Sequence, residues 1–293
     1  MRCDKFSGVG VALVTPFKAD GTIDYDALAK HIEFLINGGV NFIAMTGTTG
    51  EPPTLTKDEK NSLVQFIVNQ VKARIPLMIG IGGNNTKNVV DEIKSTNFNG
   101  IDGILSISPY YNKPNQKGIY THFKEIANST DMPIILYNVP GRTGMNVSWQ
   151  TICQLAEECK NVVAVKEASG NFSQIMQILK HKPEDFSLIS GDDSLTVPMM
   201  SIGATGVISV AANVVPKQFT EMIKLCKLGN YSQASKIHFQ LLDLMNALFE
   251  EGSPAGAKAA LNILGIMDEN LRLPLVPVSK ELKQKIENLL KNL

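Results

Sequence analysis

The stretch Val162-Val163-Ala164-Val165-Lys166-Glu167 is an apolar run that ends in two charged residues. It has no in-out alternation, the pattern of a strand covered on both faces, as in a parallel sheet. Similar runs occupy residues 8–17, 41–46, 76–81, 103–108, 133–138, 186–190 and 206–211. Each is followed by a polar loop and then a stretch of helical period such as 26–37 or 57–73. Asp24 or Asp26, Thr56 and Ser148 stand where helix N-caps belong. Eight β-α repeats suit a closed barrel, typically about 250 residues, or a doubly wound open sheet.

The barrel is favoured. An open sheet of the other kind carries G-x-G-x-x-G after its first strand, whereas Thr15-Pro16-Phe17 stands there. Gly80-Ile81-Gly82-Gly83 follows the third run and lacks the last glycine at the required spacing, so it reads as a tight turn on the rim. From about residue 217 the apolar spacing is helical, with helices expected at 231–251, 254–264 and 280–293. The expected fold is therefore α/β, a (β/α)8 TIM barrel over residues 1–230, with a C-terminal helical extension over 231–293 packed on it.

Composition narrows the partners. The 293 residues carry 28 Lys plus Arg against 28 Asp plus Glu, so the basic footprint that nucleic acid or an anionic membrane requires is missing. No apolar run approaches the roughly 18–20 residues that span a bilayer, and no secretory signal opens the chain. Cys3, Cys153, Cys159 and Cys226 form no C-x-x-C pair and are expected to be free thiols in a reducing cytoplasm. His31, His122, His181 and His238 form no metal-ligand pattern. The expectation is a protein without cofactor or metal whose partners are small molecules and copies of itself.

In such a barrel the reactive groups sit where strands give way to loops. Lys166 is carried by its apolar run into the expected barrel interior, where a charged ammonium is expensive. A lysine biased toward the neutral amine attacks carbonyl carbon and forms a Schiff base, an electron sink for carbon–carbon chemistry. The bland alternative is an ion pair with a carboxylate, for which Glu167 is a poor choice because strand neighbours point to opposite faces. Tyr137 ends another apolar run and suits proton transfer, or a core position. Gly47-Thr48-Thr49-Gly50 offers N–H groups and hydroxyls for a carboxylate, or is a plain turn with Thr caps. Arg142, in Gly141-Arg142-Thr143-Gly144, could grip a carboxylate with two parallel bonds, or be a surface arginine.

Taken in order, six segments carry a resemblance that spans nearly the whole chain. They are Thr46-Gly47-Thr48-Thr49-Gly50-Glu51, Pro109-Tyr110-Tyr111-Asn112-Lys113-Pro114, Leu136-Tyr137-Asn138-Val139-Pro140-Gly141-Arg142-Thr143-Gly144, Val165-Lys166-Glu167-Ala168-Ser169-Gly170, Ser190-Gly191-Asp192-Asp193 and Gly206-Val207-Ile208-Ser209-Val210. The chain resembles the dihydrodipicolinate synthase family of the pyruvate-dependent class I aldolase superfamily. The resemblance implies that Lys166 condenses with pyruvate and that the enamine attacks L-aspartate 4-semialdehyde, whose amine then closes the ring and expels the lysine, a step of lysine and diaminopimelate biosynthesis. It assigns proton transfer to Tyr137, Thr48 and Tyr111, with Tyr111 reaching in from a neighbouring subunit. Thr48 and Thr49 would hold the pyruvate carboxylate, Arg142 the carboxylate of the semialdehyde, and Gly191 and Ile208 would shape the pocket through backbone groups. It also implies a homotetramer, a dimer of dimers.

Two departures stand out. Residues 253–258, Ser-Pro-Ala-Gly-Ala-Lys, replace the Asn-Pro-Ile-Pro-Val-Lys form common in relatives, with no catalytic consequence expected. At the interface position where many bacterial relatives bind L-lysine, Pro52, Pro53, Lys57, Lys60 and Asn88 replace small residues, two histidines and a glutamate, while Asn84 and Tyr110 remain. Added like charge and a lost carboxylate imply weak or absent inhibition by lysine. Other readings stay open from the residues: a lyase with the same Schiff base acting on N-acetylneuraminate or 2-keto-3-deoxygluconate, or a silent barrel that binds a keto acid.

Overall fold

The computed structural model describes residues 4–293; Cys3, expected to be a free thiol, lies outside them. Eight parallel strands form a closed barrel in sequence order. They are β1 (Gly8–Ala12), β2 (Phe42–Met45), β3 (Leu77–Gly80), β4 (Gly103–Ile107), β5 (Ile134–Asn138), β6 (Val162–Glu167), β7 (Ser187–Ser190) and β8 (Gly206–Ser209). Helices lie between the strands, so the expected (β/α)8 architecture is the observed one. No helix of the described residues is long and apolar enough to cross a membrane.

All eight expected runs form strands, and the ends that differ do so for local reasons. β1 stops at Ala12 rather than Phe17. Leu13 N still donates to Ala44 O, but Pro16 has no N–H for a ladder, and Phe17 makes an isolated antiparallel bridge with Ile23. The helix Lys57–Val71 opens with a capping box between Thr56 and Glu59 and ends two residues early because Lys72 and Ala73 are left-handed, at φ 53° and 55°. Asp24, not Asp26, caps the helix Tyr25–Asn37, and Ser148 caps Trp149–Glu158. The helix Tyr231–Ala247 gives way to tight turns through Phe249 and Gly252, short of residue 251.

The described chain divides into two compact units, one of residues 4–7 and 76–208, the other of 8–75 and 209–293. In the first, β4 to β7 pair in parallel, with one register shift between Ile134 and Ile135 where β5 meets β6, and beyond it Ile107 stands beside Tyr137, Tyr137 beside Lys166 and Lys166 beside Ile189. The rim turn after β3 needs Gly82, where a Cβ would come within 2.9 Å of Ile107 N. In the second unit, β1 pairs with β2, the helix Tyr231–Ala247 packs on Pro216–Lys227 and on Lys280–Lys291, and Ala255–Ile263 packs on Lys280–Lys291. Cys153, Cys159 and Cys226 are buried free thiols.

Candidate active site

In the first unit, Lys166 is the next-to-last residue of β6 and is only 5% exposed. Its register partner on β5 is Tyr137, so both side chains leave the sheet on one face, and Lys166 Nζ lies 4.2 Å from the Tyr137 ring centroid. Among the described residues no carboxylate lies within ion-pairing distance of this ammonium, so the bland reading of Lys166 as half of an ion pair does not hold. Gly191 opens the room beside it. A Cβ there would come within 3.1 Å of Lys166 Cγ and Cε and 2.7 Å of Ala168 Cβ. Ser190 Oγ and Thr196 Oγ1 both donate to Asp192 O, which closes the turn that carries Gly191. Ile208, on β8, is buried.

Glu167 leaves β6 on the opposite face, toward the helix Phe172–His181. Its carboxylate accepts from Asn138 Nδ2 at 3.1 and 3.0 Å, from Gln174 Nε2 at 3.0 Å and from Ser169 N at 2.7 Å. A buried carboxylate so fully bonded is a rigid anchor. Asn138 extends it: its Nδ2 donates to Asn146 Oδ1 at 2.8 Å and its Oδ1 accepts from Val147 N at 3.0 Å. The segment after β5, which carries Arg142, is therefore pinned to the strand that carries Lys166. Arg142 sits in the single helical turn Pro140–Thr143, closed by left-handed Gly144. It is exposed, and its guanidinium has no hydrogen-bond or ion-pair partner among the described residues.

Tyr111 stands on the loop after β4, 88% exposed and left-handed at φ 71°. A bulky residue rarely adopts that conformation. Asn112 secures the loop by donating from N to Tyr110 O and from Nδ2 to Asn84 O, each at 2.8 Å.

In the second unit, Thr48–Gly50 forms one 3-10 turn after β2, between Gly47 and Glu51. Neither threonine hydroxyl caps it, so the plain Thr-capped turn is not what forms, and both hydroxyls are without a partner among the described residues. Thr49 is buried and Thr48 half-buried. Thr15 Oγ1 donates to Gly50 O at 2.8 Å, and Glu51, left-handed at φ 55°, closes the turn. The Glu51 carboxylate meets Lys258 Nζ at 2.6 Å with both side chains fully buried, and accepts from Arg272 N at 3.2 Å. Burial pushes the Lys258 ammonium down to about 8, against the pull of Glu51. Arg272 in turn holds the Glu59 carboxyl at about 2.

The structure thus brings Tyr137 and Gly191 each close to Lys166, puts Arg142 on an exposed helical turn and Tyr111 on an exposed loop of the same unit, and puts Thr48 and Thr49 on a turn of the other. Sequence reasoning missed Lys258. Its signal was a lone lysine in Ala255-Gly256-Ala257-Lys258-Ala259-Ala260-Leu261, the same signal that marked Lys166. It also missed Asn138, Asn146 and Gln174, whose partners are distant in sequence. Among the described residues no group of three or more His, Cys, Asp or Glu could hold a metal ion.

A closed barrel with a buried lysine against a tyrosine at the ends of adjacent strands has the makings of an aldolase-type site. The model of the Dihydrodipicolinate synthetase family matches residues 5–293, and the chain belongs to that family. It is 50% identical over 286 residues to the 4-hydroxy-tetrahydrodipicolinate synthase of Parabacteroides distasonis, covering 98% of this chain and 96% of that one. Among solved structures, the dihydrodipicolinate synthase of Thermotoga maritima matches with a TM-score of 0.96 at 41% identity, over 98% of each chain. A monomeric dihydrodipicolinate synthase variant matches equally well, TM-score 0.96 at 41% identity over 98% of this chain and 97% of its own.

Proposed function

We infer that this chain is a Schiff-base-forming lyase that condenses pyruvate with L-aspartate 4-semialdehyde to 4-hydroxy-tetrahydrodipicolinate, in lysine and diaminopimelate biosynthesis. The observation that carries the reading is the burial of Lys166 with its amine over the Tyr137 ring and, among the described residues, no carboxylate within ion-pairing distance. Lys166 adds to the pyruvate ketone and loses water to give an iminium. Loss of a methyl proton gives the enamine, whose carbon attacks the aldehyde. The amine of the semialdehyde then attacks the imine carbon, closes the ring and releases Lys166. The iminium is itself the electron sink, so the route calls for no cofactor or metal.

The other residues take the roles the family resemblance implies. Thr48 and Thr49 hold the pyruvate carboxylate, a role supported by two hydroxyls without partners among the described residues. Arg142 takes the carboxylate of the semialdehyde, supported by a guanidinium on a pinned turn that has no partner among the described residues. Gly191 and Ile208 shape the pocket through backbone groups. Tyr137, Thr48 and Tyr111 pass protons. Tyr111 does so in a neighbour's site, a role supported by its exposure and left-handed backbone, within a homotetramer built as a dimer of dimers in the cytoplasm. A coupled assay with pyruvate and L-aspartate 4-semialdehyde tests the activity. Formation of the dihydropyridine ring downstream is expected. Pyruvate release from N-acetylneuraminate or 2-keto-3-deoxygluconate, without ring formation, would refute the substrate assignment.

A further inference from the structure

Glu51 and Lys258, 207 residues apart in sequence, form an ion pair with both side chains 0% exposed. Lys258 also donates to Asn270 O at 2.8 Å and lies 4.3 Å from the centroid of the Phe17 ring. Glu51 is the residue that ends the Thr48–Gly50 turn: its N–H donates to Thr48 O at 3.2 Å, and its backbone is left-handed. Such a conformation in a residue other than glycine persists only where the surroundings impose it. Here they impose it through the carboxylate, held by Lys258 on one oxygen and by Arg272 N on the other. A buried ion pair is a poor source of stability, since two apolar side chains of similar volume often serve as well or better. What a short charged hydrogen bond supplies is direction, because its length and angle are narrowly defined.

We propose that Glu51 and Lys258 are positioning residues whose buried ion pair holds the Thr48–Thr49 turn in the conformation that receives the pyruvate carboxylate. The helix Ala255–Ile263 then serves the reaction through this one side chain. The inference rests on the reading that the two threonines bind that carboxylate, and the test separates the two.

Pyruvate alone is titrated against the full-length enzyme, with borohydride trapping of the Schiff base read by intact mass. The variants are Glu51→Gln, Lys258→Met, the charge-free double E51Q/K258M and, as a reference for the turn itself, Thr49→Val. Thermal melting is recorded for each, and titrations are run well below every midpoint. The double variant strands no buried charge, so it remains measurable if a single one does not fold. Half-saturating pyruvate is expected to rise about tenfold or more in the ion-pair variants and in Thr49→Val, with trapping still reaching completion at high pyruvate. If Thr49→Val shifts the midpoint and the ion-pair variants only lower the melting temperature, the pair is structural and the proposal fails. If Thr49→Val itself shifts nothing, the carboxylate reading of the turn fails, and the proposal with it.

Discussion

Lys166 and Tyr137 are register partners on β6 and β5, and the lysine amine sits 4.2 Å from the centre of the tyrosine ring. The next residue along each strand, Glu167 and Asn138, is also a register pair, bonded on the opposite face of the sheet. Two adjacent residue pairs therefore split the work by strand alternation. One presents a lysine amine and a phenol, and the other locks the strand ends and the segment that follows β5. The Glu167 carboxylate is occupied on its own face, and Lys166 has no counter-ion among the described residues.

Arg142 is the residue expected to choose the aldehyde. Replacing it by Ala is predicted to spare Schiff-base formation with pyruvate and to weaken condensation by roughly 2–4 kcal/mol, the worth of a charge-assisted, bidentate carboxylate contact. Steady-state kinetics with each substrate varied checks this. A Michaelis constant for the semialdehyde and a turnover both near wild type would remove the assignment.

The Tyr111 side chain is exposed on the loop after β4. If it completes a neighbour's site, mixing Tyr111→Phe subunits with Lys166→Ala subunits should regenerate some intact sites, and activity should rise on subunit exchange. Unchanged activity in mixed oligomers, verified by native mass spectrometry, would place Tyr111 in its own chain's site.

Much of this was legible in the sequence because one signal carries it. An apolar run that stops at a polar residue marks both a buried parallel strand and a side chain delivered to its end, and Lys166 and Tyr137 were found in that way. Strand and helix ends were less legible, since they depend on single events such as Pro16 lacking an N–H or Lys72 turning left-handed. Lys258 escaped because its apolar run lies on a helix of the extension, away from the strand ends where reactive groups were sought, and its partner Glu51 is 207 residues away in the chain. Asn138, Asn146 and Gln174 escaped for a similar reason: a buried amide has no period, only partners.

L-lysine is expected to inhibit weakly or not at all. Lys57, an exposed residue, opens a helix with Lys60 one turn on, and the family resemblance implies that both stand where an ammonium ligand would need an anion. Asn88 offers an amide in place of a carboxylate. Initial rates at saturating pyruvate across a lysine titration decide the point. Half-inhibition at or below about 1 mM, a binding free energy near −4 kcal/mol, would contradict the expectation.

Acid should destabilise the fold in a window set by histidines. Burial pushes His31 and His122 down to about 4, against an ordinary value of 6.5. Above that value both are neutral folded or unfolded, and stability is complete. As pH falls from 6.5 toward 4 the unfolded chain takes up protons that the folded one refuses, so stability declines, by about 2 kcal/mol per histidine at pH 5. Urea unfolding at pH 7.5 and 5 should show this loss, with a smaller loss in His122→Gln. A wild-type curve unchanged between the two pH values would contradict it.

The most direct test is to trap the enzyme with pyruvate and borohydride, digest it and map the modified peptide by mass. Lys166 is the one lysine delivered by an apolar strand to the end of the barrel beside a tyrosine, and it should carry the only adduct. An adduct on any other lysine, Lys258 included, or no adduct at all, would contradict the Schiff-base mechanism.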